Sequence, residues 1–190
     1  GNVINPDSIV EKFGADTLRL YEMFMGPFDQ AVAWSTDGIV GPRRFLEKVW
    51  RLQAKLSGAN SLKGVLTVTI KKVTQDIAAM HFNTAVSGLM ILVNTLDKAE
   101  VIDQESWENF LKLLAPFAPH LAEELWSKLG HPGSIHLEPW PKVDLGAVEK
   151  GLVKLVVQVN GKARDILDVQ SGLEQDAAKS MALQRPKISK

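Results

Sequence analysis

Ile39-Val40-Gly41-Pro42-Arg43-Arg44-Phe45-Leu46-Glu47-Lys48-Val49-Trp50-Arg51-Leu52-Gln53-Ala54-Lys55-Leu56 decides the fold class. Its apolar residues Ile39, Phe45, Leu46, Val49, Leu52 and Leu56 recur at three- and four-residue steps, the period of an amphipathic helix. Gly58 closes the pattern.

The same period continues on both sides. Upstream, Asn5-Pro6-Asp7-Ser8 is a helix start: Asn caps, Pro fits the first turn, and Asp suits the positive end of the dipole. Ile9, Val10 and Phe13 line that first helix, and Gly14 ends it. A second helix is expected from Ala15 to Met25, with Leu18, Tyr21, Phe24 and Met25 inward, stopped by Gly26-Pro27. Phe28 to Ser35 reads as a loop or a short extended piece. Downstream come helices on Leu62, Leu66, Ile70, Val73, Ile77 and Met80, then on Phe82, Val86, Leu89, Val93 and Leu96. A further helix starts near Asp103 with Trp107, Phe110, Leu111 and Leu114, and another carries Leu121, Leu125, Trp126 and Leu129 up to Gly130. Short links between such helices favour antiparallel neighbours in a bundle.

The character changes after Gly130. Leu152 to Val159 is apolar and β-branched, hence strand-like, and Asn160-Gly161 is a hairpin turn signal. A two-residue turn sets Val159 opposite Lys162, Val157 opposite Arg164 and Leu155 opposite Ile166, which makes one side of the ribbon largely apolar. Residues from about Leu173 to Gln184 read as helix. The fold class is mainly α: an antiparallel helical bundle, then a small α/β domain with a β-hairpin, truncated part-way. The expected division is 1–35, 36–138 and 139–190.

The 190 residues hold 22 basic and 22 acidic side chains, so no overall field draws the chain to nucleic acid; RNA binding has to come from a local charge arrangement. There are no cysteines, which excludes disulfides and thiolate chemistry and is compatible with a reducing cytoplasm. No apolar run reaches the ~18 residues of a membrane span. The start Gly1-Asn2-Val3-Ile4 has no signal-peptide pattern.

Catalytic signatures are absent: no glycine-rich phosphate loop, no G-x-S-x-G, no H-E-x-x-H. His120, Glu123 and Glu124 share a helix face, but no further metal ligand is evident, and glutamates in a first helical turn answer the dipole. His81, His131 and His136 have no visible partners. Trp50, Trp107 and Trp126 fall on or beside apolar stripes and read as core, with base stacking a lesser alternative for Trp50. The strongest functional pattern is a basic stripe. Arg44, Lys48, Arg51 and Lys55 are spaced four, three and four apart, with Arg43 on the flank, so a ridge of roughly 16 Å can follow a phosphate backbone. The alternative is a solvated face in which Glu47 neutralises Arg43 or Arg51. Lys71 and Lys72, and Lys162 with Arg164, are smaller basic groups.

Several runs together carry a resemblance. Gly1 to Pro6 followed by Ile9-Val10-Glu11-Lys12-Phe13-Gly14-Ala15-Asp16-Thr17-Leu18-Arg19 resembles the segment after the K-M-S-K-S signature of class I aminoacyl-tRNA synthetases. Tyr21 to Pro27 with Trp34-Ser35, and Arg43-Arg44-Phe45-Leu46 running into Val49-Trp50-Arg51-Leu52, are similar to the leucyl branch. Ala115-Pro116-Phe117-Ala118-Pro119-His120-Leu121-Ala122-Glu123-Glu124-Leu125-Trp126 looks like the bundle motif of that subgroup, and Val156 to Arg164 like the opening of the leucyl C-terminal domain.

The resemblance implies a tRNA-binding piece of a cytoplasmic leucine–tRNA ligase, with a stem-contact-type segment at 1–35. It implies tRNA(Leu) and the parent's catalytic domain as partners, and ATP and Mg as cofactors of that catalytic domain, with none in this piece. No catalytic residue is expected here; Gly1 and Asn2 flank the signature loop, and the piece alone is expected to be inactive. In the leucyl branch the bundle braces the inner side of the tRNA without reading the anticodon. The same bundle in a valyl, isoleucyl or methionyl enzyme, and a helical scaffold with no RNA role, are the alternatives.

Overall fold

The computed structural model describes residues 4–57, 62–142, 152–159, 162–170 and 175–185. They fall in two compact units, Gly1–Val143 and Asp144–Lys190.

The first unit is all helical. Helix α1 (Pro6–Phe13) starts as the sequence predicts: the Asn5 side chain accepts from the Asp7 amide at 2.9 Å. Gly14, at φ +89°, turns the chain into α2 (Ala15–Phe24). A 3₁₀ turn (Asp37–Ile39) leads into α3 (Val40–Leu52), and a second (Gln53–Lys55) closes it. Then come α4 (Lys63–Ala78), α5 (Phe82–Lys98), α6 (Gln104–Leu114) and α7 (Pro119–Lys128). Gly58, the expected stop for α3, lies outside the described residues; α3 has already ended at Leu52.

Helix α5 is the centre. Ala85, Val86, Leu89, Leu92, Val93 and Leu96 are all buried, and α2, α3 and α4 pack around it. Phe45, Val49 and Leu52 of α3 and Trp107, Phe110 and Leu111 of α6 complete the same core. Burying each such side chain contributes about 1.5–3 kcal/mol, which is what holds helices of ordinary propensity together. Ile9, Leu18, Tyr21 and Ile39 form a separate smaller cluster under α1 and α2.

Two crossings tie distant segments. Leu56 and Ile102 form a parallel bridge: the Ile102 amide donates to the Lys55 carbonyl at 2.9 Å and the Ser57 amide to the Ile102 carbonyl at 3.2 Å. After α7 the chain returns over the bundle. Ile135 is buried, Glu138 pairs with Lys112, and the Trp140 indole donates to the Thr74 hydroxyl at 2.8 Å.

Some inward assignments change. Phe24 and Met80 are exposed: Phe24 lies at the open edge between α3 and α5, and Met80 stands beyond the end of α4 at φ +60°. Trp107 and Trp126 are buried, but Trp50 is 41% exposed and lies under the Lys128 ammonium, 5.4 Å from its ring centre. His131 is partnered: it stacks on Trp126 with ring centres 3.8 Å apart and meets Glu108 at 3.0 Å.

The second unit holds β1 (Leu152–Val159) and β2 (Lys162–Gln170), paired antiparallel, and helix α8 (Gln175–Leu183). The turn residues Asn160 and Gly161 lie outside the described residues. Val159 does pair with Lys162, but the register then slips by one: Val157 faces Asp165 and Leu155 faces Leu167. The extra residue is Arg164, a β-bulge. One residue of slip moves the other set of side chains inward. Leu167 and Val169 are therefore buried and Ile166 is exposed, the reverse of the expected ribbon face. Arg185 donates to Asp165 at 3.0 Å and fastens the end of α8 to β2.

Candidate nucleic-acid interface

The basic stripe of α3 faces a groove between α3 and α5 of about 610 Å³. Arg44, Lys48 and Arg51 line one wall, Met90, Val93 and Asn94 the other, and Phe24 closes an end. Burial of Phe45, Leu46, Val49 and Leu52 fixes the rotation of α3, which turns Arg44, Lys48 and Arg51 away from the core.

The cations divide into two groups. Lys48 donates to Asn94 Oδ1 at 3.1 Å and pairs with Asp97 at 3.3 Å. Lys55 donates to the carbonyls of Asp97 and Ala99 at the end of α5. Those are carbonyls that a helix C-terminus leaves without intrahelical partners, and an ammonium there also answers the dipole. Lys48 and Lys55 thus fasten α3 to α5. Arg43 is likewise engaged, with Glu47 at 2.8 Å and the Phe13 carbonyl at 3.1 Å. Arg44 and Arg51 are exposed and have no protein partner among the described residues. They are seven positions apart, about 10 Å along the helix axis, which suits two separate phosphates.

The other basic residues are scattered. Lys72 pairs with Asp76 at 2.6 Å and its stem passes over Gly88; Lys71 is exposed on the same helix. Arg164 is exposed at the bulge of the second unit. The side chain of Lys162, and Gly1 and Asn2 entirely, lie outside the described residues.

These assignments predict a clean separation. Lys55→Met is expected to lower stability by about 1–2 kcal/mol, the loss of a charged hydrogen bond at a helix end, and to leave the salt dependence of any RNA binding unchanged. Urea melts and salt titrations read the two effects separately.

His120, Glu123 and Glu124 line one open concavity with His136, but each is engaged with a different partner. His120 Nδ1 lies 2.7 Å from Asp16 Oδ1. Glu123 accepts from the Ser134 hydroxyl and the Ile135 amide, at 2.9 and 3.1 Å. Glu124 pairs with Lys128 at 3.2 Å. His120 and Glu123 help hold α7 and the return segment in place, whereas the Glu124 pair lies within α7 itself.

Two residues matter more than their sequence context indicates. Asp16, buried on α2, accepts from the amides of His120 at 3.3 Å and Leu121 at 2.7 Å. It caps α7 from another helix, and Ala118, at the N-cap position, has no side chain able to do so. Three residues on, Arg19 donates to the Pro116 carbonyl at 3.0 Å. The Gly14–Arg19 run and the Ala115–Trp126 run therefore bind each other. Asp97 is the second: it sets which stripe cations are neutralised. An alanine at an N-cap position signals an outside acceptor, but not which one.

Comparison with known proteins agrees with this architecture. The family model described as the anticodon-binding domain of tRNA ligase matches residues 61–179. Agrobacterium radiobacter LeuRS, solved as a ternary complex with tRNA and LeuAMS, is similar over 100% of this chain with a TM-score of 0.80 and 30% identity. This chain spans 28% of that one. With α2, α3 and α4 packed around α5, and more than half of its residues matched by that family model, the chain belongs to the family of tRNA-ligase anticodon-binding domains.

Proposed function

We propose that this chain is the tRNA-bracing part of a leucyl-tRNA synthetase, whose whole joins leucine to tRNA(Leu) with ATP. The carrying observation is the pair Arg44 and Arg51, exposed on a fixed helix at the rim of a groove and without an ion-pair partner among the described residues; Glu47, which lines the same groove, is held by Arg43. Phosphate contacts of this kind hold an RNA in register without reading its bases. The likeness to a LeuRS solved with tRNA supports the leucyl assignment. The catalytic domain of the parent, with its ATP and Mg, supplies the chemistry; this chain's share is to bind and orient.

Backbone bracing has a direct test. A tRNA(Leu) transcript with a replaced anticodon is expected to bind within about twofold of the original, since base readout contributes about 1–3 kcal/mol per position where it operates. Raising the salt weakens both transcripts equally. A tenfold loss on changing the anticodon would mean that the bundle reads bases. No salt-sensitive binding of either transcript would sink the RNA role.

A further inference from the structure

The groove between α3 and α5 holds more than the two arginines that brace a backbone. Phe45, Met90 and Val93 give it an apolar floor. At about 610 Å³ it has the size of a small-ligand site, for which roughly 300–1,000 Å³ is typical, and it exceeds what a phosphate alone would fill. Phe24 stands at one end, 38% exposed, with no ring or cation over it among the described residues. Two other exposed rings are engaged: Trp50 lies under Lys128, and Phe28 meets Phe82 edge-on with ring centres 5.6 Å apart. An open aromatic ring beside cations is a platform on which a nucleobase stacks.

Asn94, on the α5 wall, adds a direction. An ammonium has only hydrogens to give, so the Lys48 contact at 3.1 Å turns the Asn94 carboxamide with Oδ1 toward Lys48. Its Nδ2 hydrogens then have no partner among the described residues. Glu47, the carboxylate in the lining, is held by Arg43. The polar side of the groove therefore presents donors.

We infer that this groove receives one unstacked nucleotide of the bound RNA, outside the anticodon, whose base carries a carbonyl oxygen: guanine or uracil. The base lies on the apolar floor against Phe24, its carbonyl oxygen accepts from Asn94 Nδ2, and the flanking phosphates meet Arg44 and Arg51. Adenine has no carbonyl and sets an amino donor against the amide. Asn94 is then the residue that selects the base. The inference rests on the bracing reading and adds one base contact to it.

The test uses the 190-residue chain labelled with nitrogen-15 and three pentaribonucleotides of equal charge, 5′-AAUAA, 5′-AAGAA and 5′-AAAAA. One or both of the first two are expected to bind about tenfold more tightly than the third and to shift the Asn94 side-chain amide; the tighter one names the base. Asn94→Ala, checked for an unchanged melting profile, should bring all three within about twofold of each other and keep the salt slope, because the phosphate contacts remain. If that variant melts differently, the pentamer ratio and the Asn94 amide shift on the unaltered chain decide alone. Phe24→Leu should weaken all three about fivefold without changing their order. A tRNA(Leu) transcript with a replaced anticodon should displace the favoured pentamer as well as the original does. Equal, salt-sensitive binding of the three pentamers overturns the inference and leaves the bracing reading standing. So does a preference that survives in Asn94→Ala, and displacement by the original transcript alone assigns the groove to the anticodon and overturns it too. Failure of every pentamer to bind overturns the inference, and the bracing reading falls with it only where tRNA also fails to bind.

Discussion

Replacing Arg44 and Arg51 together by alanine is expected to weaken tRNA binding about 25- to 60-fold at about 0.1 M salt and to reduce the salt slope by about 1.4–1.8. The size comes from counterion release, in which each neutralised phosphate contributes roughly 0.7–0.9 to the slope. Both arginines are exposed and neither has a partner among the described residues, so removing them leaves α3 packed through Phe45, Val49 and Leu52. Unchanged thermal unfolding is therefore part of the expected result. The contrasting pair, Lys48→Ala with Lys55→Ala, should lower stability and leave the slope nearly unchanged, because these ammonium groups already hold Asn94, Asp97 and the end of α5. If the lysine pair reduces the slope as much as the arginine pair, the whole ridge meets RNA and the cations do not divide into two groups. The measurement is fluorescence anisotropy with labelled tRNA over a range of salt.

The largest effect on stability is expected at Asp16. Asp16→Ala should destabilise the helical unit by about 3 kcal/mol, since it leaves two amides at the start of α7 without an acceptor and removes a capping carboxylate. For a protein of this size that lowers the melting midpoint by about 6–12 °C. Asp16→Asn keeps a carbonyl oxygen and should recover roughly half of the loss. His120→Ala should matter little, because its ring is largely in water and an exposed pair contributes at most about 1 kcal/mol. An Asp16→Ala protein that melts within a degree or two of the unaltered chain would show that water replaces the cap.

Helix positions were legible in the sequence because punctuation and period agreed. Asn5-Pro6, Gly14, Asp103 and Pro119 stand at real starts and stops, and the buried face of α3 is the face its period selects. The hairpin register was not legible. Nothing local in Lys162-Ala163-Arg164-Asp165 marks which residue is extra, and the bulge reverses the faces of β2 from there on. The site was half legible. Spacing placed Arg44, Lys48, Arg51 and Lys55 along one side of the helix, but spacing does not show what lies across from them. Asp97 is 42 to 49 positions away from Lys55 and Lys48 in sequence, and it decides which cations remain for a ligand. Trp50 shows the same limit: its place beside the apolar stripe is visible, but its cover is not, because α7 brings Lys128 there and no apolar side chain.

The Asp16 cap also bears on the order in which the chain folds. Helices α4 to α6 are joined by short links, so their contacts close small loops and form early. The bond from Asp16 to the Leu121 amide spans 105 positions, and closing so long a loop is entropically costly until the intervening helices have packed. The cap is then expected to form after the rate-limiting step, so that Asp16→Ala speeds unfolding and leaves the refolding rate nearly unaltered, as stopped-flow folding and unfolding rates would read. In a cell this makes Asp16 less a condition for reaching the native state than a determinant of how long the bundle stays there.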